Sequence, residues 1–227
     1  MENSNAIDGR YTTAAPVLLA FANLIEPKAV GKKGKAKGEP KYSVTAGISM
    51  DGPDAKGIIA KAKAVAEARW PGRDLKELKM PFESAAKRVD REKRKAEKEG
   101  KKPYDNSFLD GMMVLTARSK YRPQLASVEN GQVVDYTDDT LAVAKQKFYR
   151  GAMVLLKLNF QTYEGQKDED TGQGNPDGIN VYVDQVLKVK EGKRLGGSAP
   201  AADTFKSYLG AMTAEDPTDN LDAEISF

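Results

Sequence analysis

Apolar and polar residues alternate with period two through residues 152–163 (AMVLLKLNFQTY) and again through 179–189 (INVYVDQVLKV), the spacing of half-buried strands. Val154, Leu156, Leu158 and Phe160 fall on one side of the first segment, and Lys157, Asn159, Gln161 and Tyr163 on the other. In the second, Ile179, Val181, Val183 and Leu187 oppose Asn180, Tyr182, Asp184 and Lys188. Residues 16–25 (PVLLAFANLI) and 41–50 (KYSVTAGISM) also read as strands, and the Lys/Gly-rich stretch between them makes a long hairpin. Tyr42 shares its parity with Val44 and Ile48, which predicts a core position; Lys41, Ser43 and Thr45 take the polar side. Strand signal returns at 111–119 (GMMVLTARS), 124–128 and 132–136, with Asn130-Gly131 supplying a hairpin turn between the last two.

Helical periodicity occupies the gaps. Pro53-Asp54 opens a run in which Ile58, Ile59, Ala62, Val65, Ala66 and Trp70 recur at helical spacing, and Pro71-Gly72 stops it. A charged helix is predicted from about Glu83 to Glu99, with Glu83 to Lys87 and Asp90 to Arg94 as i,i+4 ion pairs. A short helix follows Thr137 or Asp138 as N-cap, with Leu141, Ala144 and Phe148 on one face. Separated strands with interpolated helices predict a mainly β, α+β body: a small antiparallel barrel with a helical insertion at about residues 53–104. A sandwich would give the same pattern.

Composition narrows the chemistry. The 227 residues contain no cysteine and no histidine, which excludes Ser-His-Asp and Cys-His nucleophiles and the common zinc sites. No disulfide framework is possible, and a reducing cytosol is the expectation. The opening Met1-Glu2-Asn3-Ser4 lacks the features of a signal peptide, and no apolar run approaches a membrane span. Asp168, Glu169 and Asp170 could hold a divalent cation, but Gly172, Gly174, Asn175, Pro176 and Gly178 around them read as a solvated loop. No phosphate-cradling glycine motif is present. No cofactor and no metal are expected.

Charge is divided along the chain. The net +3 combines a tail from Ser207 to Phe227, with five acids and no base, and a body, 1–206, whose 28 acids and 36 bases leave +8. The Lys28–Lys41 stretch holds Lys32, Lys33, Lys35 and Lys37 among glycines. Arg118, Lys120, Tyr121 and Arg122 cluster at a strand end. With Lys41 and Lys157 these cations can follow a phosphate backbone, while Tyr121, Tyr163 and Tyr182 stack on bases. Trp70 either lids the core or stacks. The tail, 207–227, reads as acidic and disordered, yet ends in Asp222, Glu224, Ile225 and Phe227. Acids followed by a terminal aromatic suit capture by a basic, apolar pocket on a partner, or competition with DNA for the cationic body.

The ending resembles the acidic, phenylalanine-terminated tails of bacterial and T7-type phage single-stranded DNA-binding proteins, although Ser226 stands where the bacterial tails usually carry proline. Phe21-Ala22-Asn23-Leu24-Ile25-Glu26-Pro27, Pro40-Lys41-Tyr42-Ser43-Val44-Thr45, Phe148-Tyr149-Arg150-Gly151 and Asn159-Phe160 resemble a tailed-phage family of single-stranded DNA-binding proteins, formerly a domain of unknown function. The resemblance implies an OB-fold-like five-stranded antiparallel barrel and sequence-independent binding of single-stranded DNA in phage replication, recombination or repair, without catalysis. It adds Tyr149 to the candidate DNA contacts, and replication or recombination proteins as partners of the tail. Two rivals stand beside it: a metal-dependent nuclease or recombination enzyme built on carboxylates, and a structural protein whose basic face binds another protein.

Overall fold

The alternation at 152–163 and 179–189 becomes a long antiparallel hairpin at the centre of the structure, a computed structural model that describes residues 7–29, 38–103, 105–165, 174 and 176–195. In chain order the elements are β1 (Arg10–Thr12), β2 (Val17–Lys28), β3 (Lys41–Ser49), α1 (Pro53–Arg69), β4 (Phe82–Ser84), α2 (Ala85–Lys98), β5 (Met112–Ser119), β6 (Gln124–Glu129), β7 (Gln132–Tyr136), α3 (Leu141–Lys147), β8 (Met153–Tyr163) and β9 (Gly178–Lys190). The nine strands form one sheet in the order β4-β5-β3-β2-β8-β9-β6-β7, with β1 also paired to β8. The five long strands β2, β3, β5, β8 and β9 make the expected OB-like core. The four short strands are additions, and β6 pairs with β9 in parallel.

The seam between β5 and β9 is bridged from both ends. At one end the chain leaves β5 at Ser119 and re-enters the sheet as β6, pairing Gln124–Ser127 with Gln185–Lys188 of β9. At the other, β4 pairs with β5, and the residues just before it reach β9. Lys79 donates its backbone N–H to the carbonyl of Asp177 (2.9 Å) and accepts from Ile179 (3.0 Å), while Thr116 donates to the carbonyl of Pro81 (3.1 Å). The helical insertion thus supplies a strut across the barrel's seam.

The interior is filled as the alternation requires. Leu156 and Leu158 are 0 % exposed and Phe160 2 %, packed with Val44, Ala46, Ile48, Leu115, Val181 and Val183. From α1, Ala55, Ile58, Ala62, Val65 and Ala66 cover this core. The helix is anchored by its first turn. Asp54, 2 % exposed, accepts hydrogen bonds from the Tyr11 hydroxyl (2.9 Å) and from the backbone N–H groups of Ala14 (2.8 Å) and Ala15 (2.9 Å). Burial, and then the hydrogen bond to Asp54, push the Tyr11 phenol up to about 12. A smaller apolar layer, Ala20, Ala85, Leu109 and Val114 with Phe21 and Phe108, lies on the outer side of β2 and β5 under the start of α2.

Several expectations require correction. Lys188, placed on the polar side by parity, is 5 % exposed, and Leu187 is the half-buried member of the pair. A register shift between Lys157 and Leu158 in the β8–β9 ladder flips the later residues of β9 to the opposite face, as a one-residue slip must. Tyr42 is only half-buried, and Thr45, assigned to the solvent side, is 7 % exposed. Glu83 lies in β4, where it pairs with Arg91 and with Arg88 (3.8 Å) instead of Lys87. Among the described residues Asp90 and Arg94 form no ion pair.

Candidate nucleic-acid interface

Strand register aligns the polar residues of β1, β8 and β9 into rows on the outward face. Arg10 stands opposite Asn159, which stands opposite Tyr182. Thr12, Lys157 and Gln185 form a neighbouring row, and Gln161 faces Asn180. The face continues across the seam onto β5 and β3. There Ser43 lies opposite Arg118 and accepts a hydrogen bond from the Asn23 amide (3.0 Å). The Asn23 and Ser43 positions of the family-like motifs therefore line this outer surface.

The turn after β5 projects from the same face. The Ser119 hydroxyl accepts from the Tyr121 backbone N–H (3.0 Å), fixing the turn, and Tyr121 is 83 % exposed. A ring exposed to this extent has a free face on which a base can stack. Beside it, Lys120 pairs with Glu39 (2.9 Å). Glu39 holds the Lys120 ammonium above its ordinary value, with smaller contributions from Tyr121 and Tyr182, so both tyrosines lie within its electrostatic reach. Lys120, and to a smaller extent Lys41, in turn hold Glu39 below the usual carboxylate range. Arg122 pairs with Asp138. Both pairs are exposed and contribute little to stability, so a phosphate can displace either acid. Among the described residues Arg10, Lys41, Arg118 and Lys157 form no ion pair.

The remaining candidates lie elsewhere. Trp70 caps α1 and packs against the core, with the Arg73 guanidinium 5.5 Å from its ring. Arg73 also pairs with Asp177 (2.6 Å). Tyr163, opposite Gly178 at the far end of the hairpin, has its phenol raised by burial and then by Asp177. Trp70 and Tyr163 are thus both tied, through Arg73 and Asp177, to the base of the β8–β9 loop. Lys32, Lys33, Lys35 and Lys37, the Asp168–Asp170 acids, and Asp222, Glu224, Ile225 and Phe227 lie outside the described residues.

Tyr149 is engaged within the body. Its hydroxyl contacts Glu191 and donates to the carbonyl of Gly192 (2.9 Å), and the Arg194 guanidinium lies 4.0 Å from its ring centroid. The Lys188 ammonium lies 5.5 Å from the same centroid and pairs with Glu191. Burial first, then Glu191, raise the phenol's pKa; Lys188 and then Tyr149 lower that of Glu191. Arg150 stacks 4.2 Å from the Phe21 centroid and donates to the carbonyl of Ala20 (2.9 Å). Gly151 has φ 105°, and a Cβ there would overlap the carbonyl of Lys193. The Phe148-Tyr149-Arg150-Gly151 signature is therefore a clamp on residues 191–195.

Sequence reasoning missed Arg10 because β1 spans three residues, too few to display a period. No group of three or more His, Cys, Asp or Glu residues suited to a metal occurs among the described residues, and no described helix is long and apolar enough to cross a membrane.

The family model for the single-stranded DNA-binding protein of Enterobacter phage Enc34 matches residues 12–219. The single-stranded DNA-binding protein from bacteriophage Enc34, in complex with ssDNA, superimposes with a TM-score of 0.60 at 20 % identity, covering 83 % of this chain and 90 % of that one. Another structure of the single-stranded DNA-binding protein from bacteriophage Enc34 gives 0.56 at 19 % identity, covering 87 % and 90 %. Gp2.5, the single-stranded DNA-binding protein of bacteriophage T7, gives 0.45 at 13 % identity, covering 88 % and 94 %. No curated protein sequence matches the chain.

Proposed function

The chain belongs to the phage Enc34 single-stranded DNA-binding protein family, and from that premise we propose that it binds single strands without sequence preference along the outward strip from β1 to β3. The observation that carries this reading is the 83 % exposed ring of Tyr121, set in sequence between Lys120 and Arg122. Phosphates follow Arg10, Lys157, Lys120, Arg118 and Lys41, and bases stack on Tyr121 and Tyr182. Stacking accepts every base because each has a π-face, and the cations contact only the backbone. The work is done by binding, with no group on the strip asked to break a bond.

Fluorescence anisotropy with a labelled oligonucleotide tests the reading. Binding at low salt should weaken as salt rises, with log K falling by about 0.7 per log unit of salt for each phosphate neutralised. No binding of single strands at low salt would refute it, and cleavage dependent on magnesium would favour the nuclease.

The finer role we infer is phage DNA replication, recombination or repair in the cytoplasm of a bacterial host. The charge division along the sequence supports a tail that recruits replication or recombination proteins through Asp222, Glu224, Ile225 and Phe227, and that competes with DNA for the basic body. Removing residues 215–227 should then raise DNA affinity; an unchanged affinity would leave partner recruitment alone.

A further inference from the structure

The strongly basic helix α2, with seven bases against three acids, has no part in the strip described above. Ala85, Arg88, Val89, Glu92 and Ala96 form its inner side, each buried or half-buried, and the residues between them are exposed. Lys87, Arg91, Arg94 and Lys98 recur at spacings of four, three and four on the opposite side, a ridge about 16 Å long at 1.5 Å per residue. Two nearby acids, Glu83 and Glu92, are turned toward the body, and the exposed Asp90 and Glu97 beside the ridge form no ion pair among the described residues, so the helix keeps its excess of bases. Glu83 holds Arg91 and Arg88, and Glu92 holds Arg88 at 3.0 Å. Among the described residues Lys87, Arg94 and Lys98 form no ion pair, so three cations remain exposed along one line.

The ridge starts close to the single-strand strip. Ala85 packs in the layer containing Val114 of β5. Val114, Thr116 and Arg118 share the outward parity of that strand, so Arg118 stands about 13 Å from Val114 at 3.3 Å per residue. A strand leaving the strip at Arg118 therefore has the first cations of α2 within a few nucleotides.

We propose that the exposed face of α2 is a second phosphate-binding track for single-stranded DNA, engaged only by strands long enough to run beyond the barrel. This rests on the single-strand function inferred above. Aromatic residues are absent from the ridge, so the track holds backbone without stacking bases and adds salt-sensitive affinity.

The test is the full chain carrying Lys87→Gln, Arg94→Gln and Lys98→Gln. Anisotropy is measured over a range of salt with oligonucleotides of about 8 and about 30 nucleotides, the shorter within the span of one OB fold. The expected result is unchanged affinity for the short strand, with the salt slope for the long strand reduced by about 2, or 0.7 for each of three cations. An unchanged slope for the long strand overturns the proposal. So does an equal loss for both lengths, which would mean a diffuse field effect or a single continuous site. A wild-type chain that binds neither length refutes the single-strand function itself, whereas wild-type binding without a length-specific loss refutes the track alone.

Discussion

Lys120-Tyr121-Arg122 and Phe148-Tyr149-Arg150 are near neighbours in composition, each a tyrosine followed by an arginine and flanked by residues that suit nucleic-acid contact. In the fold they have opposite fates. Tyr121 stands 83 % exposed on a turn pinned by Ser119. Tyr149 has a cation on its ring and its hydroxyl in a network with Glu191 and Gly192. Arg122 reaches an exposed acid, while Arg150 stacks on Phe21 and caps a strand carbonyl. The difference comes from partners distant in sequence. The chain returns to Tyr149 about forty residues later and, among the described residues, leaves Tyr121 83 % exposed.

The largest effect should follow from breaking the clamp. Tyr149→Ala removes a half-buried ring and its hydrogen bonds, and should cost about 3 kcal/mol in urea denaturation, with little change in the affinity of the folded protein for a short single strand. Preserved stability would put Tyr149 in the same class as Tyr121. Next in size, Tyr121→Ala should weaken single-strand binding by about 2 kcal/mol while moving stability by no more than about 0.5 kcal/mol; a large loss of stability would break the contrast from the other side.

A smaller effect appears at alkaline pH. A phenol whose folded-state pKa lies above its unfolded value, ordinarily near 10, stabilises the fold fully below the unfolded value. That contribution is lost as pH climbs through the folded one. With Tyr11 at about 12 and Tyr149 also raised, stability should fall between pH 10 and 12. Tyr149→Phe should make that fall shallower in denaturation curves recorded across the interval; an unchanged slope would show that the clamp does not titrate.

What was legible in the sequence was local. The β8–β9 hairpin, α1 between Pro53 and Pro71, and the Asn130-Gly131 turn, with φ 51° and 80°, follow from period and turn chemistry. Lys188 did not, because an extra residue in its own strand, between the partners of Lys157 and Leu158, decides which way it points. Glu83 read as a helix residue until β4 claimed it, and that shift redirected its charge from Lys87 to Arg91 and Arg88. β1 and β4, three residues each, are defined by the strands they join. For the interface, the Arg118–Arg122 cluster was visible as composition. Its union with Tyr182, Asn159 and Arg10 is a consequence of sheet order. The partners of the Phe148–Gly151 signature, Phe21 and residues 191–195, were not legible because they lie far along the chain.

The central claim, that the outward strip around Tyr121 is where the single strand lies, is tested most directly by one titration. The Arg118→Gln, Lys120→Gln, Tyr121→Ala variant is compared with wild type against a labelled single-stranded oligonucleotide, at matched thermal stability. The strip predicts an affinity loss of about a hundredfold or more and a salt slope shallower by about 1.4, from one stacking ring and two phosphate contacts. An affinity within twofold of wild type, at an unchanged slope, would contradict it.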